Sequence, residues 1–366
     1  MAVTNDVATD RRVLRHAATL SEAGAMVTVV GRRLRDSLPV EGDVACHRMR
    51  LLFRRGVGFY AEYNIRLMLY LLVHRCDLVY ANDIDTMPAC RMAACLKRKP
   101  LVMDVHELFP EVPELVDRPK VKLFWQRLDD RLMPRANVRI TVCDSLAQYY
   151  RQRLGVDLTV VRNIAPRHEV VEVEKREPAH DNLKVLLYQG CVNKGRGVDW
   201  AIDAMGLLPD CRLVIAGGGD LLEAMKLRAQ ATPWADRITF TGRLSPDQLA
   251  QLTPTADVGL VMLEDMGLSY HMALPNRIGD FVAAGVPLVV SDLPEMARAV
   301  RLFRIGDVME APGPEALASS VHRVLQRRWS AADFAAARAD MDWNVEKTKL
   351  TDAVGAALTK QQTQNQ

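Results

Sequence analysis

Residues 274–295 read LPNRIGDFVAAGVPLVVSDLPE, and this stretch holds a helix start, a helix end, a strand and a candidate ligand site in one segment. Pro275 fixes its own φ and has no N–H to donate, so it suits the first turn of a helix whose free N–H groups face whatever lies in front. Such a helix start favours an anion. Ile278, Phe281 and Val282 recur at three- and four-residue spacing, and Gly285 breaks the pattern where a left-handed C-cap is expected. Val286-Pro287-Leu288-Val289-Val290 follows as a continuously apolar run, the pattern of a parallel strand buried on both faces. Asp280 lies four residues after Asn276 on the same helix face, a placement from which a carboxylate accepts hydrogen bonds from a ribose diol one turn below bound phosphates. Taken alone, the stretch fits a solvated surface helix equally well.

Outward from this segment, apolar runs alternate with helical patterns, and they do so twice. In the first half, helices are expected at 11–23, 63–74, 87–96 and around 123–132, with strands at 26–30, 77–81, 101–105, 139–142 and 159–161. In the second half, strands are expected at 185–188, 212–216, 238–240, 258–262 and 287–290, with helices at 198–205, 221–229 and 246–252 between them. Strands alternating with helices predict parallel, doubly wound sheets. Residues 167–182 carry charges, Pro178 and few large apolar residues, and they read as a linker. The expected organisation is therefore an N-terminal domain over 1–167 and a second over 168–343, with a C-terminal helix 344–360 packing back on the first. Two facing α/β units place a cleft at the carboxyl ends of their strands. The first strand reads as truncated, because only Met1-Ala2-Val3-Thr4 precedes Asn5-Asp6; either the strand is short or the start lies upstream.

A chain of 366 residues can bury two cores of ordinary size. With 49% apolar and 25% charged residues it has the composition of a soluble globular protein. The densest apolar run, 67–73, falls far short of the roughly 18–20 residues needed to span a bilayer, and Asp6, Asp10, Arg11 and Arg12 interrupt any signal peptide. The seven cysteines show no CxxC pair and no zinc-like spacing, which points to reduced thiols and a cytoplasmic location. Residues 1–167 hold 27 Lys and Arg against 19 Asp and Glu, leaving 21 against 26 in the remainder, so the N-terminal half is the basic one. Its densest part, His47-Arg48-Met49-Arg50-Leu51-Leu52-Phe53-Arg54-Arg55, mixes cations with apolar side chains. That mixture fits peripheral contact with an anionic membrane on its inner face, and fits a solvated edge as well. Nucleic-acid binding is not expected, since no aromatic–basic interleaving or known module accompanies the charge.

Two loops could cradle phosphate. The strand at 185–188 runs into Gln189-Gly190-Cys191-Val192-Asn193-Lys194-Gly195-Arg196-Gly197 and then a helix; glycines let backbone approach a ligand, while Lys194 and Arg196 bring cations to a helix start. Gly217-Gly218-Gly219-Asp220 forms a second strand-to-helix turn. Neither is a Walker loop nor a GxGxxG fingerprint, and each alone is ordinary turn chemistry.

Their order is more specific. Tyr188-Gln189-Gly190 with Gly195-Arg196-Gly197, then a strand ending in Gly217-Gly218-Gly219-Asp220, then Arg237-Ile238-Thr239-Phe240-Thr241-Gly242, then Ala256-Asp257-Val258-Gly259-Leu260-Val261, then the 274–292 segment, resembles the nucleotide-sugar-binding domain of family 4 glycosyltransferases. The resemblance continues in Asn5-Asp6 with Asp10-Arg11-Arg12-Val13, in Asn82-Asp83 with Thr86, in Asp104-Val105-His106-Glu107 and in Asn163, and so covers nearly the whole chain. It implies the GT-B fold, two facing Rossmann-like domains with a cleft between them, and retaining transfer of a sugar from a nucleoside-diphosphate donor, UDP- or GDP-linked, to a glycan or lipid-linked acceptor in building a surface polysaccharide.

Carried over by position, the resemblance implies that Arg196 pairs with the donor diphosphate. Leu274, Pro275, Asn276 and Arg277 match the turn beside those phosphates, with Gly190, Lys194 and Gly218 on the facing loops. Asp280 stands where the family has a glutamate on the ribose. His106 lies near sugar and acceptor, flanked by Asp104 and Glu107, with Asp83 also on the acceptor side. His106 and Arg196 are thus the expected catalytic residues. No metal or other cofactor is expected, because cations and helix starts can stabilise the leaving diphosphate. Asp83-Ile84-Asp85 spells the D-x-D of the other glycosyltransferase fold, but at a strand end in the wrong half. Two departures stand out: Asp280 is one methylene shorter than the family's glutamate, and Cys191 occupies a place where many members carry a second phosphate-binding arginine. Alternatives within the fold are a nucleotide-sugar 2-epimerase and a non-catalytic subunit.

Overall fold

The computed structural model describes residues 1–364 apart from 36, 41 and 166–182; the expected linker at 167–182 lies outside the described residues. The chain divides into two compact units, Met1–Asn163 with Glu346–Gln366, and Ile164–Val345.

In the first unit, strands β1 (Ala2–Asp6), β2 (Thr28–Arg32), β3 (Ala45–Met49), β4 (Val79–Asn82), β5 (Leu101–Val105), β6 (Val138–Thr141) and β7 (Thr159–Val160) form one parallel sheet in the order β3-β2-β1-β4-β5-β6-β7. Helices α1 (Arg11–Glu22), α2 (Gly56–Val73), α3 (Met87–Lys97), α4 (Pro119–Leu132) and α5 (Asp144–Leu154) make the connections. The short apolar run at the start continues through Asn5-Asp6 as a five-residue strand between β2 and β4. Asp10 caps α1 by accepting from the Val13 amide, and Val13 and Ala17 are wholly buried beneath it. Strand order reverses between β1 and β4, and open α/β sheets bind ligands at the carboxyl ends beside such a switch point.

The second unit repeats the plan. Strands β8 (Lys184–Gln189), β9 (Cys211–Ala216), β10 (Ile238–Gly242), β11 (Val258–Val261), β12 (Leu288–Val290) and β13 (Gly306–Val308) are ordered β10-β9-β8-β11-β12-β13, all parallel, with the switch point between β8 and β11. The helices are α6 (Val198–Ala204), α7 (Leu222–Gln230), α8 (Pro246–Leu252), α9 (Leu268–His271), α10 (Arg277–Ala284), α11 (Pro294–Phe303), α12 (Pro314–Gln326) and α13 (Ala335–Asp340). Two apolar clusters cover the two faces of the sheet, one around Ile202, Leu213 and Val321, the other around Leu187, Phe281 and Val290. Double coverage explains why β11 and β12 are apolar at every position.

The last helix, α14 (Trp343–Gln364), belongs to the first unit from Glu346 onward. Leu350 is wholly buried, and Glu346, also wholly buried, accepts from the Arg162 amide at 2.8 Å and from its Nε at 2.9 Å. Among the described residues no helix is long and apolar enough to cross a membrane.

Candidate active site

At the switch point of the second unit, β8 delivers Gln189 and the loop 190–197. The loop is zipped to its neighbour: Gly190 N donates to Ala216 O (2.9 Å), Val192 N to Gly218 O (3.0 Å), and Asp220 N to the side chain of Asn193 (3.0 Å). Gly217 and Gly219 serve this junction, whereas Gly195 and Gly197 pack against Met266, Tyr270, Met262 and Trp200. A Cβ on Gly217 would lie 1.7 Å from the Gly190 carbonyl oxygen, and one on Gly190, where φ is +139°, would lie 2.7 Å from Arg277 Nη1. Gly218 alone of that triplet borders open space, since a Cβ there would meet nothing within 4 Å.

The opening segment sits beside this loop. Gly285 caps α10 in the left-handed region (φ +70°), as its place in the pattern predicts, and α10 begins at Asn276–Arg277 with no side-chain cap on its first amides. Leu274 and Pro275 are half-buried and Asn276 is exposed. Arg277 is turned inward: 8% exposed, it donates from Nη1 to the Gln189 carbonyl (2.9 Å) and stacks its guanidinium 5.1 Å from the Tyr188 ring centre. Arg277, expected beside the phosphates, thus holds the backbone at the root of the glycine loop. Asp280, half-buried, accepts from Gln189 Nε2 (3.2 Å), while Gln189 Oε1 accepts from Thr253 (2.9 Å). Gln189 thus fixes the carboxylate of Asp280. It stood in the quoted motif without a role, and a buried amide at the end of a strand facing a switch point was the available signal.

Arg196 differs from Arg277. Its guanidinium lies 4.8 Å over the ring of Tyr270, it forms no ion pair among the described residues, and its Nε is buried without a hydrogen-bond partner. Lys194 beside it is exposed. The charge of Arg196 thus faces a ring and, among the described residues, no carboxylate.

In the first unit the chemistry gathers around Asp104, which is fully buried. Arg12 grips it through Nε (3.2 Å) and Nη2 (2.7 Å) while Nη1 donates to the Val161 carbonyl (2.8 Å). Tyr80 donates to it at 3.0 Å, and His16 Nδ1 lies 3.2 Å away. His106 lies between two carboxylates, Nε2 at 3.3 Å from Asp104 and Nδ1 at 3.2 Å from Asp83, whose other oxygen accepts the His106 amide (2.8 Å). Burial opposes charge on His106, but Asp83 and Asp104 outweigh it and raise its pKa to about 9, so the ring is cationic at neutral pH. The burial cost of Asp104 is likewise outweighed, by Arg12, His106 and His16, which hold it well below the ordinary carboxylate range. His16, desolvated beside Arg12, is pushed down to about 4.

These contacts sort the N-terminal residues. Asp104, expected on the acceptor side, is fully buried and holds His106 Nε2 at 3.3 Å. Asp83 adopts φ +57° to do the same from the other side. Glu107 is exposed. Arg12 and His16, spaced i, i+4 on the inner face of α1, were missed as partners of Asp104; a charged pair on an otherwise apolar helix face was the clue. Asp83 and Asp85 are engaged separately, by His106 and by Thr4, and among the described residues no three His, Cys, Asp or Glu side chains are grouped to hold a metal ion.

Comparison with known proteins fits this two-part plan. The model for glycosyltransferase family 4 matches residues 9–165, and that for group 1 glycosyl transferases matches 183–327. A phosphatidyl-myo-inositol mannosyltransferase of Mycobacterium tuberculosis is 26% identical over 226 residues, covering 58% of this chain and 57% of the relative, so the match spans just over half the length of that protein. Among solved structures, sucrose-phosphate synthase from Thermosynechococcus elongatus superposes with a TM-score of 0.79 at 17% identity, over 95% of this chain and 93% of that one. Anabaena HepE in complex with UDP and glucose gives 0.73 at 15% identity, over 97% and 98%. With tandem family matches across both units and this shared architecture, the chain belongs to the family 4 glycosyltransferases and has their GT-B fold.

Proposed function

We propose that the protein transfers a hexose-like sugar, with retention, from a UDP- or GDP-linked donor to a glycan or lipid-linked acceptor, without a metal ion. The observation that carries this reading is Arg196: a guanidinium on a glycine loop at the sheet's switch point, seated on Tyr270, with a buried Nε that has no partner. A diphosphate supplies that partner. In this reading Lys194, Gly218 and the uncapped start of α10 at Leu274–Asn276 complete the phosphate site, and Asp280, positioned by Gln189, receives the ribose hydroxyls. In retaining transfer the leaving diphosphate accepts the acceptor's proton on the same face. The protein's task is then to stabilise charge growing on that diphosphate, each charge-assisted hydrogen bond contributing about 1.5–3 kcal/mol. His106, cationic and clamped by Asp83 and Asp104, serves the sugar and acceptor.

The first unit also presents exposed Arg50, Leu52, Phe53, Arg54 and Arg55 beside α2, whose Val57, Ile65, Leu69 and Val73 are exposed. This basic and apolar surface fits peripheral contact with an anionic membrane, at about 1 kcal/mol per nearby cation, and sedimentation with phosphatidylserine vesicles at low and high salt tests it. The catalytic reading is tested by incubating the protein with UDP- and GDP-sugars and following hydrolysis and anomeric configuration by NMR. Release of nucleotide with a retained anomer is expected. Accumulation of an epimerised donor, or no turnover of any donor, would overturn it.

A further inference from the structure

The loop that carries Arg196 rests on a second segment, 262–271, which follows β11. Glu264 N donates to the Gly195 carbonyl at 2.9 Å. A Cβ on Gly195 would lie 2.6 Å from Met266 Sδ and 3.1 Å from Tyr270 Cε2, and one on Gly197 would lie 2.8 Å from Met262 Cβ. Both glycines therefore let the loop lie close against this segment. The segment itself turns at Gly267, where φ is +133°, a conformation that glycine adopts at little cost. Asp265 Oδ2 and His271 Nδ1, 2.9 Å apart, close that turn. The side chain it delivers is Tyr270, 9% exposed, whose ring lies 4.8 Å beneath the Arg196 guanidinium.

Stacking fixes the plane of a guanidinium without engaging its donors, because the N–H groups all lie in that plane. The other arginine of the loop region shows the alternative. Arg277 is also stacked, 5.1 Å from the Tyr188 ring, but its Nη1 is engaged by the Gln189 carbonyl at 2.9 Å. Arg196 forms no ion pair among the described residues, and its Nε has no hydrogen-bond partner. A carboxylate in the place of Tyr270 would hold the side chain too, but it would take up the donors and offset the charge. An arginine with no seat would lose rotamer freedom on meeting an anion, which weakens binding.

We propose that Tyr270 is a positioning residue for the donor: its ring, set in place by the 262–271 segment, holds the Arg196 guanidinium in the plane in which its N–H groups meet a diphosphate. That the diphosphate belongs to a nucleotide rests on the transferase reading; the seat itself does not. The test is titration of the full chain with UDP, GDP and inorganic pyrophosphate, followed by NMR. The proteins compared are wild type, Tyr270→Phe, Tyr270→Leu, Arg196→Ala and the double variant Arg196→Ala/Tyr270→Leu. At least one probe is expected to bind wild type and Tyr270→Phe within about twofold of each other, and Tyr270→Leu about three- to thirtyfold more weakly. In the Arg196→Ala background, Tyr270→Leu should change affinity by less than about twofold, whereas a merely structural ring would weaken binding equally in both backgrounds. The proposal is overturned if Tyr270→Leu binds as wild type does, if Tyr270→Phe loses as much as Tyr270→Leu, if the loss persists in the Arg196→Ala background, or if no probe binds wild type. Binding of pyrophosphate alone, dependent on both residues, would leave the seat standing and remove the nucleotide reading. Nucleotide binding that depends on Arg196 but not on Tyr270 would do the reverse.

Discussion

The two units share one strand order, and at their switch points they treat charge in opposite ways. In the first, Arg12, Asp104, His106 and Asp83 neutralise one another in a chain of contacts between 2.7 and 3.3 Å. In the second, Arg277 and Arg196 lie over the rings of Tyr188 and Tyr270, and the hydrogen bond that Arg277 makes runs to a carbonyl. A neutralised network gives a rigid, pre-set histidine. Cations on rings and carbonyls keep their charge unpaired by a carboxylate. The same scaffold thus yields a neutralised cluster around His106 in one unit and, in the proposed reading, an anion receptor in the other.

The largest effect that separates them is on folding. Arg12→Ala leaves Asp104 buried without its guanidinium, and stability in urea should fall by about 3–5 kcal/mol; Arg196→Ala, which breaks no ion pair among the described residues, should leave it within about 0.5 kcal/mol. A large loss in both would erase the contrast.

The next effect is on pH. His106 has a folded-state pKa of about 9, above its ordinary value near 6.5, so its contribution is fully present below about pH 6.5 and is lost as pH rises through 9. The loss should be on the order of 3 kcal/mol, visible as a falling Tm across that window in wild type and flattened in His106→Gln. An unchanged slope in the variant would show that the clamp does not hold the proton.

On activity, Arg196→Ala should lower kcat/KM by about 1.5–3 kcal/mol, or roughly 10–150-fold. His106→Ala should lose turnover and keep nucleotide affinity. The smallest effect is Asp280→Glu, which lengthens the ribose contact by one methylene and should tighten donor binding by less than about 1 kcal/mol. No change in affinity would mean that Asp280 does not meet the ribose.

Much of the scaffold was readable because both sheets are buried on two faces, which makes strands such as Leu101–Val105 and Leu288–Val290 unbroken or nearly unbroken apolar runs. The edges were not. β3, with the sequence ACHRM and alternate residues exposed, and β13, only Gly-Asp-Val, have no such signature, and the helix 144–154 begins with no side-chain cap. At the site, the cationic loop and Asp280 could be located from motif order. Their division of labour could not, because it depends on contacts far apart in sequence: Arg277 reaches back 88 residues to Gln189, and Arg12 reaches forward 92 to Asp104. Of the glycines that appeared to make room for a ligand, Gly217 and Gly219 make room for the other loop and Gly190, Gly195 and Gly197 for side chains.

The central claim, that Arg196 in the second unit meets a nucleoside diphosphate while the charges around His106 in the first neutralise one another, is tested most directly by calorimetric titration of UDP and GDP into wild type, Arg196→Ala and His106→Ala. We expect one of the two nucleotides to bind wild type, to bind Arg196→Ala at least about tenfold more weakly, and to bind His106→Ala as it binds wild type. Binding of neither nucleotide, or equal weakening by the two substitutions, would contradict it.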